Sequence, residues 1–186
     1  GYIARALSGL DHLAFFGPAD RNEAIRRYEI DPSITSIFPF GIDTEFWSPD
    51  DDERPDEPYV LSVGSDLNRD YATLLAAPIN IPVRIVTRLP VTVPAGRSGI
   101  EILAGHYFAS PLNDVGLRRL YRKASVVVVA LQDVFQPTGQ SVCLQAMACG
   151  CPVVLTDIKG LWSPGLYRDR EHCLLVPPRD PQAIAS

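Results

Sequence analysis

Residues 135–156, FQPTGQSVCLQAMACGCPVVLT, constrain the fold most, because the hydrophobic period changes inside them. Just upstream, residues 126–130 form an unbroken apolar run, short enough for a strand buried on both faces. Pro137, Thr138 and Gly139 then break the chain. From Ser141 onward the small and apolar positions recur as Val142, Ala146, Met147 and Gly150, a spacing that lines one helical face. The helix is expected to stop near Gly150, since glycine accepts the left-handed conformation of a C-terminus and Pro152 cannot continue the ladder. Val153, Val154 and Leu155 read as a second buried strand. Strand, turn, helix and strand within roughly 30 residues make a βαβ unit, which predicts a parallel sheet with a right-handed crossover.

The turn at Gly139, Gln140 and Ser141 is where chemistry can sit. The first amides of a helix point out of its N-terminus, and the summed backbone dipole adds about half a positive charge there, a setting that suits a phosphate. Gly139 would let the backbone approach such a ligand, and Thr138 or Ser141 would cap the helix or add a hydroxyl contact. An ordinary capped turn is the alternative.

Composition bounds the rest. At 186 residues with 46% hydrophobic side chains, the chain suits one domain, or one domain and a piece of another, with a core of its own. A net charge of -5 argues against a nucleic-acid partner, which would require a basic surface. No apolar run approaches the length of a membrane helix and no signal peptide is visible, so a cytoplasmic location is expected. Gly1 suggests processing or a fragment of a longer polypeptide. Cys143, Cys149, Cys151 and Cys173 lack paired zinc spacing and read as core residues in a reducing compartment; His12, His106 and His172 are too dispersed to suggest a metal cluster.

Along residues 1–56, the pattern predicts a strand over 12–16, a helix starting near Pro18 with its periodic pattern over 20–28 and ended by Asp31 and Pro32, and a strand over 34–38. Residues 48–58, rich in acidic residues and proline, read as a linker or exposed loop. Residues 57–186 alternate strand and helix: strands at 59–63, 82–87 and 100–103, a helix at 71–77, and a helix capped by Asn113 or Asp114 with Leu117, Leu120 and Tyr121 facing the core. Arg118, Arg119, Arg122 and Lys123 then read as a solvated face. With the unit described first this makes five strands of a Rossmann-like α/β parallel sheet with helices on both faces. Ligands bind such sheets at the carboxyl ends of the strands, where Gly64, His106, Gln132 and Gly139 are expected to emerge.

The run Gln145-Ala146-Met147-Ala148-Cys149-Gly150-Cys151-Pro152-Val153-Val154 resembles the C-terminal donor-binding half of glycosyltransferases with the two-Rossmann-domain GT-B fold, especially retaining family 4, or group 1. There the tail follows two glutamates; here the second is Gln145 and the first falls on Pro137. In the family, an arginine after the first strand of this half, and a lysine four residues on, hold the donor pyrophosphate. Here Ser65 stands at the first position, after Gly64, and Arg69 at the second. Arg69 thus reads as the surviving catalytic cation, or as a surface residue beside Asp66 and Asp70. Residues 40–46 resemble the hinge leaving the N-terminal acceptor domain, which makes residues 1–56 the end of that domain plus a linker. Residues 174–181 resemble the segment before the family's closing helices, so residues 57–186 are expected to lack them.

The resemblance implies transfer of a sugar, with retention and without bound metal or other cofactor, from a UDP or GDP type nucleotide diphosphate sugar. Its implied donor contacts are Gly64, Ser65, Thr138, Gly139, Gln140, Ser141 and Val142, with Gln145 on the ribose and Gln136 or Gln140 replacing the missing glutamate. His106 and Tyr107 would face the base. A carbohydrate or lipid-linked acceptor would enter through the N-terminal domain, with peripheral membrane association an option for the parent protein. A degenerate module that binds a nucleotide sugar without transferring it, a sugar-nucleotide epimerase of the same fold, and a Rossmann-type protein-interaction domain are the alternatives.

Overall fold

The computed structural model describes residues 6–7, 9–50, 57–104, 112–165 and 167–186. Gly105, His106 and Tyr107 lie outside the described residues, so the expected base-reading loop has no structural account. The N-terminal segment contributes β1 (Leu13–Phe15), α1 (Pro18–Tyr28) and β2 (Thr35–Ile37), with β1 and β2 paired in parallel. Pro18 opens α1, as expected, because the first turn is where a missing amide costs nothing.

The larger sheet comprises β3 (Val60–Val63), β4 (Val83–Thr87), β5 (Ile100–Ala104), β6 (Val126–Val129), β7 (Val153–Thr156) and β8 (Leu174–Val176). Its order is β5-β4-β3-β6-β7-β8, and every neighbouring pair is parallel. The sixth strand, β8, goes beyond the five expected; only three residues long, it shows no periodicity that tells a strand from an apolar loop. The connecting helices are α2 (Tyr71–Ala76), α3 (Asp114–Lys123), α4 (Gln140–Ala148) and α5 (Pro181–Ala185).

The buried strands are apolar on both faces, as a sheet covered by helices on both sides requires. Leu61, Val127, Val129, Val153 and Leu155 pack with Tyr121 of α3 and Cys143 and Ala146 of α4. The alternate positions Val60, Val83, Ile85, Val128 and Val154 pack with Leu74 and Leu75 of α2 and Ile184 of α5. Ser62 is buried too, and its hydroxyl donates to the Val128 carbonyl across 2.7 Å. All four cysteines are buried thiols.

Two expectations change. The basic side of α3 is not simply solvated: Arg118 Nη1 donates to the Phe46 carbonyl at 2.8 Å, with its guanidinium stacked 4.4 Å from the Phe46 ring centroid. Arg122, whose side chain is 7% exposed, donates to the Ser48 carbonyl at 2.7 Å and pairs with Asp50. These arginines fasten residues 46–50 to α3, so the start of the expected linker is docked rather than loose. Trp47 completes the attachment by burying its ring edge-on to Tyr121, 5.7 Å between centroids. Charges spaced along one helical face look solvated until a distant carbonyl is found to accept from them.

Candidate functional site

The strand order reverses direction between β3 and β6, and the loops leaving those two neighbours must diverge, opening a crevice at their carboxyl ends. Gly64 follows β3 there, and Gly139 starts α4 after the loop that leaves β6. Between them lies Arg69. The Arg69 side chain is 4% exposed, and its Nε lies 3.0 Å from Asp66 Oδ2. That N–H is not aimed at the carboxylate, however, and among the described residues neither Nε nor Nη1 has a hydrogen-bond acceptor. The surface reading of Arg69 is therefore overturned. Asp70 is not its partner either; it caps α2 by accepting from the Thr73 amide at 3.0 Å.

Both glycines are needed for the guanidinium to fit. Gly64 has φ 144° and Gly139 has φ 83°, and a Cβ on Gly64 would collide with the guanidinium. A Cβ on Gly139 would lie 2.8 Å from Val129 Cγ1 and 3.2 Å from Arg69 Nη1. Gly139 is also the N-cap of α4, and among the described residues no side chain caps this helix. The first amides of α4 thus have no internal acceptor. Of the two roles expected for Thr138 and Ser141, capping and a hydroxyl contact, neither residue takes the first. Thr138 Oγ1 donates to Asp66 Oδ1 at 2.8 Å, and Ser141 lines the crevice.

The crevice is a cleft of about 460 Å³ with three walls. Gly64, Ser65, Asp66 and Arg69 form one, continued by Val86 and Arg88 at the end of β4. Ser141, Val142 and Gln145 of α4 form the second, and Leu112, Asn113, Asp114 and Leu117 the third. Six expected site residues, Gly64, Ser65, Arg69, Ser141, Val142 and Gln145, therefore share one cleft. Thr138 and Gly139 are buried behind it, Gln136 is exposed on the loop outside it, and Gln140, half-buried, is the first residue of α4. Arg88 and the start of α3 are additions that sequence reasoning missed. The signal for Arg88, a cation immediately after a buried strand, was present but local. A smaller cleft of about 290 Å³, lined by Tyr71, Leu89, Thr92 and Gln132 among others, shares Arg69 with the first.

Gln145 is held in place from the core. Burial keeps the Tyr121 phenol well above the ordinary tyrosine range, so it stays protonated and donates to Gln145 Oε1 at 3.2 Å. The carbonyl keeps a second lone pair, and the amide hydrogens remain available to a ligand. Chemically, the cleft offers a buried cation with unused donors, a helix N-terminus beside it and a mixed polar and apolar lining, an arrangement that suits a polyanion with an attached organic group.

A family model described as glycosyl transferases group 1 matches residues 85–186, more than half of the chain. The chain belongs to the group 1 glycosyl transferases. An uncharacterized glycosyltransferase of Methanocaldococcus jannaschii is 36% identical over 78 residues, which are 42% of this chain and 19% of that protein. Among solved structures, sucrose-phosphate synthase from Thermosynechococcus elongatus superposes over 98% of this chain with a TM-score of 0.73 and 25% identity, covering 49% of its own length. Anabaena HepE, solved with UDP-glucose, covers 97% of this chain with a TM-score of 0.74 at 14% identity, over 53% of its length. This group 1 chain thus has the Rossmann-like α/β architecture of GT-B glycosyltransferases and spans about half the length of those two structures.

Proposed function

We propose that this chain is the donor-binding part of a glycosyltransferase and takes a nucleotide diphosphate sugar into the 460 Å³ cleft. The observation that carries this reading is the buried Arg69 guanidinium with two unpartnered nitrogens beside the uncapped N-terminus of α4. A buried guanidinium whose donors lack acceptors, and whose charge only the half-exposed Asp66 carboxylate offsets, is costly by itself, and a diphosphate supplies the missing acceptors. Negative charge grows on the departing diphosphate as the glycosidic bond breaks. Arg69 and the α4 amides are fixed in advance at the place that charge would occupy, so they stabilise it without reorganising. On this reading Ser141 and Gln145 contact the nucleoside side of the donor, and the sugar is transferred with retention to an acceptor held by an N-terminal domain. Residues 1–56 are then the end of that acceptor domain, and residues 57–186 the donor domain.

A second reading is favoured by Pro137, which offers no polar group where the family carries a glutamate: the domain binds the donor but no longer transfers its sugar. Titration calorimetry with UDP, GDP, ADP and their glucose or mannose conjugates, beside Arg69→Ala and Gly139→Asp, tests binding first. Binding that disappears in both variants supports the donor site, whereas no binding by a chain shown folded by circular dichroism refutes it. Sugar release or transfer by the full-length protein then separates the two readings.

A further inference from the structure

Arg69 is not the only arginine on the cleft. Arg88 is the first residue after β4 and lines the same cleft. Strand register fixes where it stands. Val63 of β3 pairs with Val86 of β4, so two residues on, Ser65 and Arg88 sit side by side just past the strand ends. The two loops are tied there: the Arg88 amide donates to Ser65 Oγ at 2.9 Å, and the Leu89 amide donates to Thr87 Oγ1 at 3.0 Å. The backbone of Arg88 is therefore held while its side chain is exposed. Among the described residues, no carboxylate forms an ion pair with Arg88.

Charge accounting gives this free cation a task. The cleft lining also carries two carboxylates, Asp66 beside Arg69 and Asp114 at the start of α3, so much of the charge of Arg69 is already offset. A diphosphate brings two ionised phosphoryl groups, and one partly neutralised guanidinium leaves one of them without a counter-charge. Arg88 faces the same space from the neighbouring strand, about 5 Å away in the direction across the sheet. Its planar fork of donors suits phosphate, and as an exposed group it bears no burial penalty before the ligand arrives.

We infer that Arg88 is a second donor-binding residue, which closes on the diphosphate of the nucleotide sugar and grips it together with Arg69. This rests on the donor reading of the cleft given above. The exposed Arg88 side chain then covers the phosphates from the β4 side, while Arg69 and the α4 amides hold them from below.

The test is calorimetry on the full chain and on Arg88→Ala and Arg88→Lys, with UDP, GDP, the matching monophosphates and the nucleosides, at two salt concentrations. The expected result is a roughly tenfold or greater loss of diphosphate affinity in Arg88→Ala, as for one charge-assisted hydrogen-bond pair. Monophosphates should lose less and nucleosides nothing. Arg88→Lys should recover part of the loss, and the salt dependence of diphosphate binding should flatten in Arg88→Ala. Because the Arg88 side chain is exposed, matching thermal melts of all three proteins are expected and confirm that the variants are folded. Unchanged diphosphate affinity in Arg88→Ala overturns the inference while leaving the donor site intact. An equal loss for nucleosides overturns it as well, since Arg88 would then act on the base or sugar. If the folded parent chain binds none of these nucleotides, the donor reading itself fails, and this inference with it.

Discussion

Thr138 and Asp66, 72 residues apart in the chain, are joined by a hydrogen bond of 2.8 Å from the threonine hydroxyl to Asp66 Oδ1. The same oxygen accepts from the Asn68 amide at 3.0 Å, and the other lies beside Arg69. One carboxylate thus couples the loop after β3 to the loop before α4 and positions the guanidinium between them. Thr138→Val keeps the shape and removes the donor. Such a hydrogen bond contributes on the order of 1 kcal/mol, so a small loss of stability is expected, together with a several-fold loss of UDP or GDP affinity. Urea titration and calorimetry on the same protein check it, and unchanged nucleotide affinity would show that the two loops are positioned independently.

Arg69 sets function against stability. Two of its buried nitrogens lack acceptors, so a side chain of similar volume without donors relieves a desolvation cost. Arg69→Met is expected to unfold at the same urea concentration as the parent or higher, while nucleotide binding is abolished. A destabilisation above about 2 kcal/mol would mean that the Asp66 pair, rather than a ligand, is what the guanidinium serves.

Gly139 and Gly96 separate backbone strain from packing. Both have positive φ, 83° and 80°, but a Cβ on Gly96 meets nothing within 4 Å among the described residues, whereas one on Gly139 meets Val129 and Arg69. Gly96→Ala should cost about 1 kcal/mol for the left-handed backbone. Gly139→Ala should cost that plus roughly 1–3 kcal/mol for overpacking, and it should also weaken nucleotide binding. Equal unfolding free energies for the two variants would remove the packing argument.

Burial pushes the Cys143 and Cys151 thiols up to about 12 in the folded chain, from an ordinary value of 9.0. A group whose folded pKa is raised stabilises fully below its unfolded pKa and loses that contribution as pH rises through the folded value. Unfolding free energy should therefore fall between about pH 9 and pH 12, by roughly 1.4 kcal/mol per pH unit for each thiol. Urea unfolding at pH 8 and pH 10 measures the slope, and the Cys143→Ala, Cys151→Ala double variant should flatten it.

The sequence by itself determined the alternation of strand and helix, the parallel sheet, the βαβ unit around residues 126–156 and a helix cap at Asn113 or Asp114, of which the structure selects Asn113. Each is encoded within a short window, by apolar period or by a capping side chain. It also named six of the residues that share the cleft, because glycine turns and a helix N-terminus are local features. What only the tertiary structure decided was burial and partnership between distant segments. Arg69 among two aspartates reads in sequence as either a phosphate-holding cation or a surface residue, and the packing of Gly64 and Gly139 against it decides that it is buried. Arg118 and Arg122 read as solvated until residues 46–50 fold back to accept from them. Thr138 and Ser65 spend their hydroxyls on Asp66 and Arg88, which only the crossover and the strand register bring within reach. A charge's environment depends on what lies within a few ångströms of it, and that is set by chain topology rather than by neighbours in sequence.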